Sequence, residues 1–108
     1  MTQIQTPALA SLVGGRRADG GRRHASVDPA HTDEVVAEVL LAEPATFVAA
    51  CRAAREAQPG WAATPAPVRG RAIKQLGRLV EDNREALARL VTREIGKPLA
   101  ESRGEVQE

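Results

Sequence analysis

The sequence predicts an α/β fold in which short β-strands, some of them paired as a hairpin, precede about four α-helices. Two features predict it. From Leu12 to Val39 glycines punctuate short runs of extended, partly β-branched residues. After Glu43 the apolar residues recur at helical spacing, with Pro and Gly falling between the runs.

The elements follow in order. Residues 1–10 (MTQIQTPALA) are polar and contain a proline, which reads as a flexible N-terminus; residues 11–108 read as part of one domain, with strands within 11–39 and helices within 44–108. Extended runs are expected at Ser11–Val13, Arg22–Val27 and Val35–Val39. Gly14-Gly15 and Asp19-Gly20-Gly21 are turn signals, and Asp19-Gly20 suits a tight hairpin because both residues tolerate positive φ. Pro44 fits the first turn of a helix that carries Phe47, Val48, Cys51, Ala54 and Gln58 and stops at Pro59-Gly60. A second helix starts with Thr64 as N-cap and Pro65 behind it, and its stripe is Val68, Ala72, Ile73, Leu76, Leu79 and Val80. Asn83 caps or kinks the chain into a third helix with the stripe Leu87, Leu90, Val91 and Ile95, ended by Gly96. Pro98 opens a fourth run from Leu99 to Glu108.

Composition narrows the function classes. With 108 residues the chain holds at most one domain, 43% of it hydrophobic and 27% charged, a balance that fits a globular protein and not a disordered one. One Phe, one Trp and no Tyr leave any core to Ala, Val, Leu and Ile. Alanine-rich helices bury little area, so at about 25 cal/mol per Å² a self-sufficient core is marginal. Fifteen basic against 14 acidic residues give a net charge of +1, which offers no reason to expect a nucleic-acid partner. The single cysteine excludes an intramolecular disulfide and fits a cytoplasmic location. No basic stretch followed by an apolar run marks a secretory leader, and no segment has the apolar length of a membrane span.

The candidate sites favour structure over chemistry. Cys51 stands mid-helix between alanines and Arg52, away from both histidines, and reads as a small core residue; a nucleophilic thiol needs a base or a helix N-terminus to lower its pKa. His24 and His31 lack further ligands at metal-binding spacing and read as exposed loop histidines. Arg16-Arg17 and Arg22-Arg23 are expected to face each other across the Asp19-Gly20-Gly21 turn as a solvated hairpin edge. Gly14-Gly15 through Gly20-Gly21 fails the GxGxxG spacing, and Gly96-Lys97-Pro98 lacks both the preceding Gly and the following Ser/Thr of a P-loop.

The order of segments resembles the N-terminal region of the aldehyde dehydrogenase superfamily, from about Leu12 to Glu108. Val27-Asp28-Pro29-Ala30 resembles an Asn-Pro-Ala strand end, and Glu34–Val39 the strand after it. Ala53-Ala54-Arg55-Glu56-Ala57 with Trp61 is similar to the family's Ala-Ala-Arg helix and tryptophan. Arg69-Gly70-Arg71 leads into Leu76, Leu79, Val80, Glu81, Asn83, Arg84, Glu85 and Leu87, similar to a long helix pair. Glu94-Ile95-Gly96-Lys97-Pro98 resembles the Glu-x-Gly-Lys-Pro turn, and Gly104-Glu105-Val106 the next helix start. Two departures stand out. Asp28 replaces Asn, and His31-Thr32-Asp33 adds a residue where the common form has Thr-Gly, as in some semialdehyde-oxidising members.

The resemblance implies an enzyme several times longer than this chain, an oxidoreductase that uses NAD or NADP to oxidise an aldehyde through a cysteine thiohemiacetal. Its nucleophile, activating glutamate, oxyanion donors and dinucleotide-binding residues all lie downstream of the matched region. No catalytic or cofactor-binding residue is therefore carried onto this chain, and Cys51 does not match the nucleophile. The fragment alone is expected to bind no cofactor, to be inactive and to lack a cooperative fold, because its helices are shaped for the rest of the enzyme. The resemblance also implies a homo-oligomer, dimer or tetramer, in the full-length protein. A monovalent cation, K+ or Na+, is implied on the backbone oxygens of Ser26 and Val27 and the carboxylate of Glu94; oxygen donors suit such a hard ion. The alternative is a small non-catalytic helical module that binds another chain through its apolar faces.

Overall fold

The computed structural model describes residues 8–108, and its first regular feature is a hairpin of β1 (Ser11–Val13) and β2 (Arg16–Ala18). The register pairs Ser11 with Ala18 and Val13 with Arg16, antiparallel. Gly14 and Gly15 form the turn at φ 56° and 76°. Positive φ at both central positions is what a two-residue hairpin with right-handed strand twist requires, and glycine meets it without a steric penalty. The hairpin therefore turns at Gly14-Gly15, one turn earlier than the Asp19-Gly20 expectation.

β3 (Arg22–Asp28) and β4 (His31–Leu41) form a second two-stranded sheet. Their connection, Pro29-Ala30, is held by Asp28, whose Oδ1 accepts the Ala30 amide at 2.8 Å. This is an Asx turn, which either Asp or Asn can make through the same oxygen.

Four helices follow: α1 (Pro44–Ala63), α2 (Ala66–Asp82), α3 (Arg84–Ile95) and α4 (Leu99–Gln107). Two boundaries differ from expectation, and at a third, in the expected place, the side chain serves the other helix. α1 runs through Pro59 and Gly60 to Ala63. Proline forfeits its own N–H bond and crowds the preceding turn, but it leaves the residues beyond it free to stay helical. Thr64 closes α1 rather than capping α2: its amide and Oγ1 both donate to the Gly60 carbonyl, at 3.1 and 2.9 Å. Pro65 takes the cap position of α2, with no side-chain bond to the helix amides. At the next junction Asn83 donates from Nδ2 to the Leu79 carbonyl at 2.8 Å, so its side chain serves the end of α2 and not the start of α3. Gly96 ends α3 in the left-handed conformation, φ 74°, its amide on the Thr92 carbonyl at 2.9 Å.

The described residues fall into two compact units. The first comprises 8–26 and 37–59. In it Leu9 pairs with β4 in parallel, its amide on the Glu38 carbonyl and its carbonyl under the Leu40 amide, both at 2.7 Å. The flexible segment expected at 1–10 otherwise lies outside the described residues. Gly21, at φ 117°, approaches the β4 backbone so closely that an added Cβ would stand 2.0 Å from the Leu41 carbonyl oxygen. The second unit comprises 27–36 and 60–108 and contains α2, α3, α4 and the tip of the β3–β4 hairpin. Here Gly96 packs on Pro29, where an added Cβ would lie 3.0 Å from the ring Cγ. Ala88 and Ser102 are fully buried between α3 and α4, and Asp28 is buried at the hairpin tip. Ala8 in the first unit and Ala88 in the second are the only buried hydrophobic residues among those described.

Candidate functional site

Each residue type that could carry chemistry has a defined place. Cys51 lies on α1 and is exposed, which corrects its reading as a core residue. The helical stripe that carries it, with Phe47 at 70% exposure and Val48, meets no covering element among the described residues. His24 and His31 are exposed, but on strands β3 and β4 rather than in loops. His31 Nδ1 stands 3.8 Å from the Asp28 carboxylate, a distant contact and not a hydrogen bond. Among the described residues no group of three or more His, Cys, Asp and Glu could hold a metal ion.

The arginine pairs also separate. Arg17 bonds to Asp19 and to the Ala8 carbonyl, while Arg23 reaches across the second sheet to Glu38 at 2.8 Å. Because β2 pairs with β1 and not with β3, Arg16-Arg17 and Arg22-Arg23 do not face each other across the Asp19-Gly20-Gly21 segment. That segment serves the Gly21 approach to β4 instead.

The best-organised polar constellation is the pair α3–α4 around the Gly-Lys-Pro turn. Lys97 pairs with Glu105 in the last turn of α4. Glu85, in the first turn of α3, receives two bonds from Arg103, at 3.0 Å from Nε and 2.8 Å from Nη2, and a third contact from Arg89 at 3.2 Å. The bidentate Arg103 holds the Glu85 carboxyl below its ordinary value. Arg93 approaches Glu34 of the hairpin tip at 3.6 Å. Beneath, the half-buried Thr92 hydroxyl and the buried Ser102 hydroxyl share a hydrogen bond of 2.9 Å, and Ser102 also points at the Pro98 carbonyl. None of these groups forms a nucleophile–base pair; the constellation fastens α4 to α3. The sequence reading names Lys97 in the Gly-Lys-Pro turn and Glu85 in the helix pair but gives neither a partner, and it singles out neither Arg103 nor Ser102. The eight-residue Lys97–Glu105 and 18-residue Glu85–Arg103 separations carry no helical-pair signal.

Of the positions expected to hold a monovalent cation, Val27 and Glu94 belong to the second unit, on β3 and in the last turn of α3, and Ser26 to the first, on β3.

Among the described residues the paired short strands, the four successive helices and the left-handed glycine before Lys-Pro form an α/β arrangement that brings no nucleophile to a base. The profile of the aldehyde dehydrogenase family matches residues 16–108. A malonate-semialdehyde dehydrogenase of Bacillus pumilus is 37% identical over 109 residues, spanning 99% of this chain and 22% of that protein. Among solved structures, a 3,6-anhydro-L-galactose dehydrogenase in complex with NAP is similar at a TM-score of 0.85 and 31% identity, over 93% of this chain and 21% of that one. A putative methylmalonate-semialdehyde dehydrogenase from Sinorhizobium meliloti 1021, complexed with NAD, is similar at 0.77 and 35%, over 95% and 21%. The chain belongs to the aldehyde dehydrogenase family. It spans about a fifth of the length of the relatives it matches.

Proposed function

We propose that these residues form the leading portion of an NAD(P)-dependent aldehyde dehydrogenase that oxidises a semialdehyde to the carboxylic acid, and that by themselves they are inactive. The observation that carries this reading is the family match over residues 16–108, at about a fifth of the length of complete relatives. The semialdehyde is supported by the names of the Bacillus relative and the Sinorhizobium structure, and the nicotinamide by the molecules in the two solved complexes. The His31-Thr32-Asp33 insertion points the same way. The part these residues play is to lay amphipathic helices on the remainder of the enzyme, and a homo-oligomer in the cytoplasm is the setting that the family and the single cysteine favour. Among the described residues no helix is long and apolar enough to cross a membrane.

The test has two arms. The coding frame beyond Glu108 is expected to continue into a Gly-rich βαβ unit, a glutamate-bearing strand and a cysteine loop. Residues 1–108, purified, are expected to give no reduction of NAD or NADP with malonate semialdehyde or other short semialdehydes, read as absorbance at 340 nm on the order of the assay blank. Turnover by the short chain would overturn the site assignments. A stop codon after Glu108 would favour the second reading, a non-catalytic module, which the exposed apolar stripes also suit.

The monovalent cation belongs to the same proposal. Its support is donor chemistry: carbonyl oxygens of Ser26 and Val27 and the carboxylate of Glu94 are hard oxygen ligands. The enzyme is expected to melt higher in potassium or sodium chloride than in choline chloride, and Glu94→Gln to remove the difference. Equal melting in all three salts would retire the ion.

A further inference from the structure

We draw no further inference here: the strongest candidate, the groove of about 810 Å³ between α2, α3 and α4 floored by Val80, Leu87, Val91 and Val106, is an unpartnered apolar face, and nothing in the structure shows what covers it.

Discussion

Within the second unit, α2 and the pair α3–α4 solve the same problem in opposite ways. α3 and α4 hold each other: Ala88 and Ser102 are fully buried, a hydroxyl pair lies beneath, and Glu85–Arg103 and Lys97–Glu105 close over the outside. α2 has the cleaner amphipathic pattern and buries no residue; Ile73 is 62% and Leu76 58% exposed. Its Arg69 carries a buried Nε without a hydrogen-bond partner, a rare state for a buried polar atom. The difference teaches that a stripe specifies that a helix will be covered, and leaves open by what. Where small residues let two helices approach, the chain supplies its own partner; where Leu and Ile stand out, no described element covers them.

The sharpest way to break this comparison is Leu76→Ala. With the side chain mostly in water, the substitution is expected to change the local opening free energy of α2 in residues 1–108 by less than about 0.5 kcal/mol. If the longer enzyme covers the stripe, the same change should cost about 2–5 kcal/mol there, the range for deleting a buried Leu side chain. Amide hydrogen exchange across α2 reads both proteins on one scale. An equally small effect in the longer enzyme would show that the stripe faces solvent throughout, and α2 would lose its role as a docking helix.

Gly96→Ala probes the fastened side and should cost about 1–2 kcal/mol. A Cβ there meets a left-handed backbone, φ 74°, and the Pro29 ring at 3.0 Å. Exchange protection in the last turn of α3 and in α4 should fall together. Pro29→Ala in the same protein should recover the part due to the ring and leave the backbone part. Recovery of everything, or of nothing, would show that only one of the two causes acts.

These positions also mark what the sequence could express. Gly96 was legible because a left-handed residue after an apolar stripe is a local requirement, satisfied within five residues. The strand and helix order was legible for the same reason. The hairpin turn was misplaced because two glycine clusters compete locally, and the choice between them is made at a distance, by the Leu41 carbonyl that Gly21 must approach. Pro59 was overweighted: it weakens one turn of α1, and the good helix formers around it carry the helix past. The apolar stripe argues for Cys51 inside, and among the described residues no element covers that stripe. At the candidate site, Glu85 and Arg103 meet only because Gly96 turns the chain back, so their pairing is tertiary and left no spacing to read.

The smallest effect sharpens the same contrast through pH. Arg103, by its paired hydrogen bonds and then its charge, lowers the pKa of Glu85 from 4.5, with Arg89 adding less. A carboxylate with a lowered folded pKa stabilises the fold above its unfolded value and loses that contribution as pH falls through the folded value. The α3–α4 fastening should therefore be complete at neutral pH and loosen only on acidification below 4.5, while α2, whose stripe carries no such pair, stays unchanged over that range. Side-chain carboxyl NMR would follow Glu85 directly. Its midpoint should lie below 4.5, return toward it in Arg103→Gln, and move less in Arg89→Gln. Both charges are solvent-exposed, so added salt should shrink the shift as well. A midpoint indifferent to Arg103 would mean that α4 is held by the buried Ala88 and Ser102 contacts alone, and that the outer pair is decoration on a joint the small residues already make.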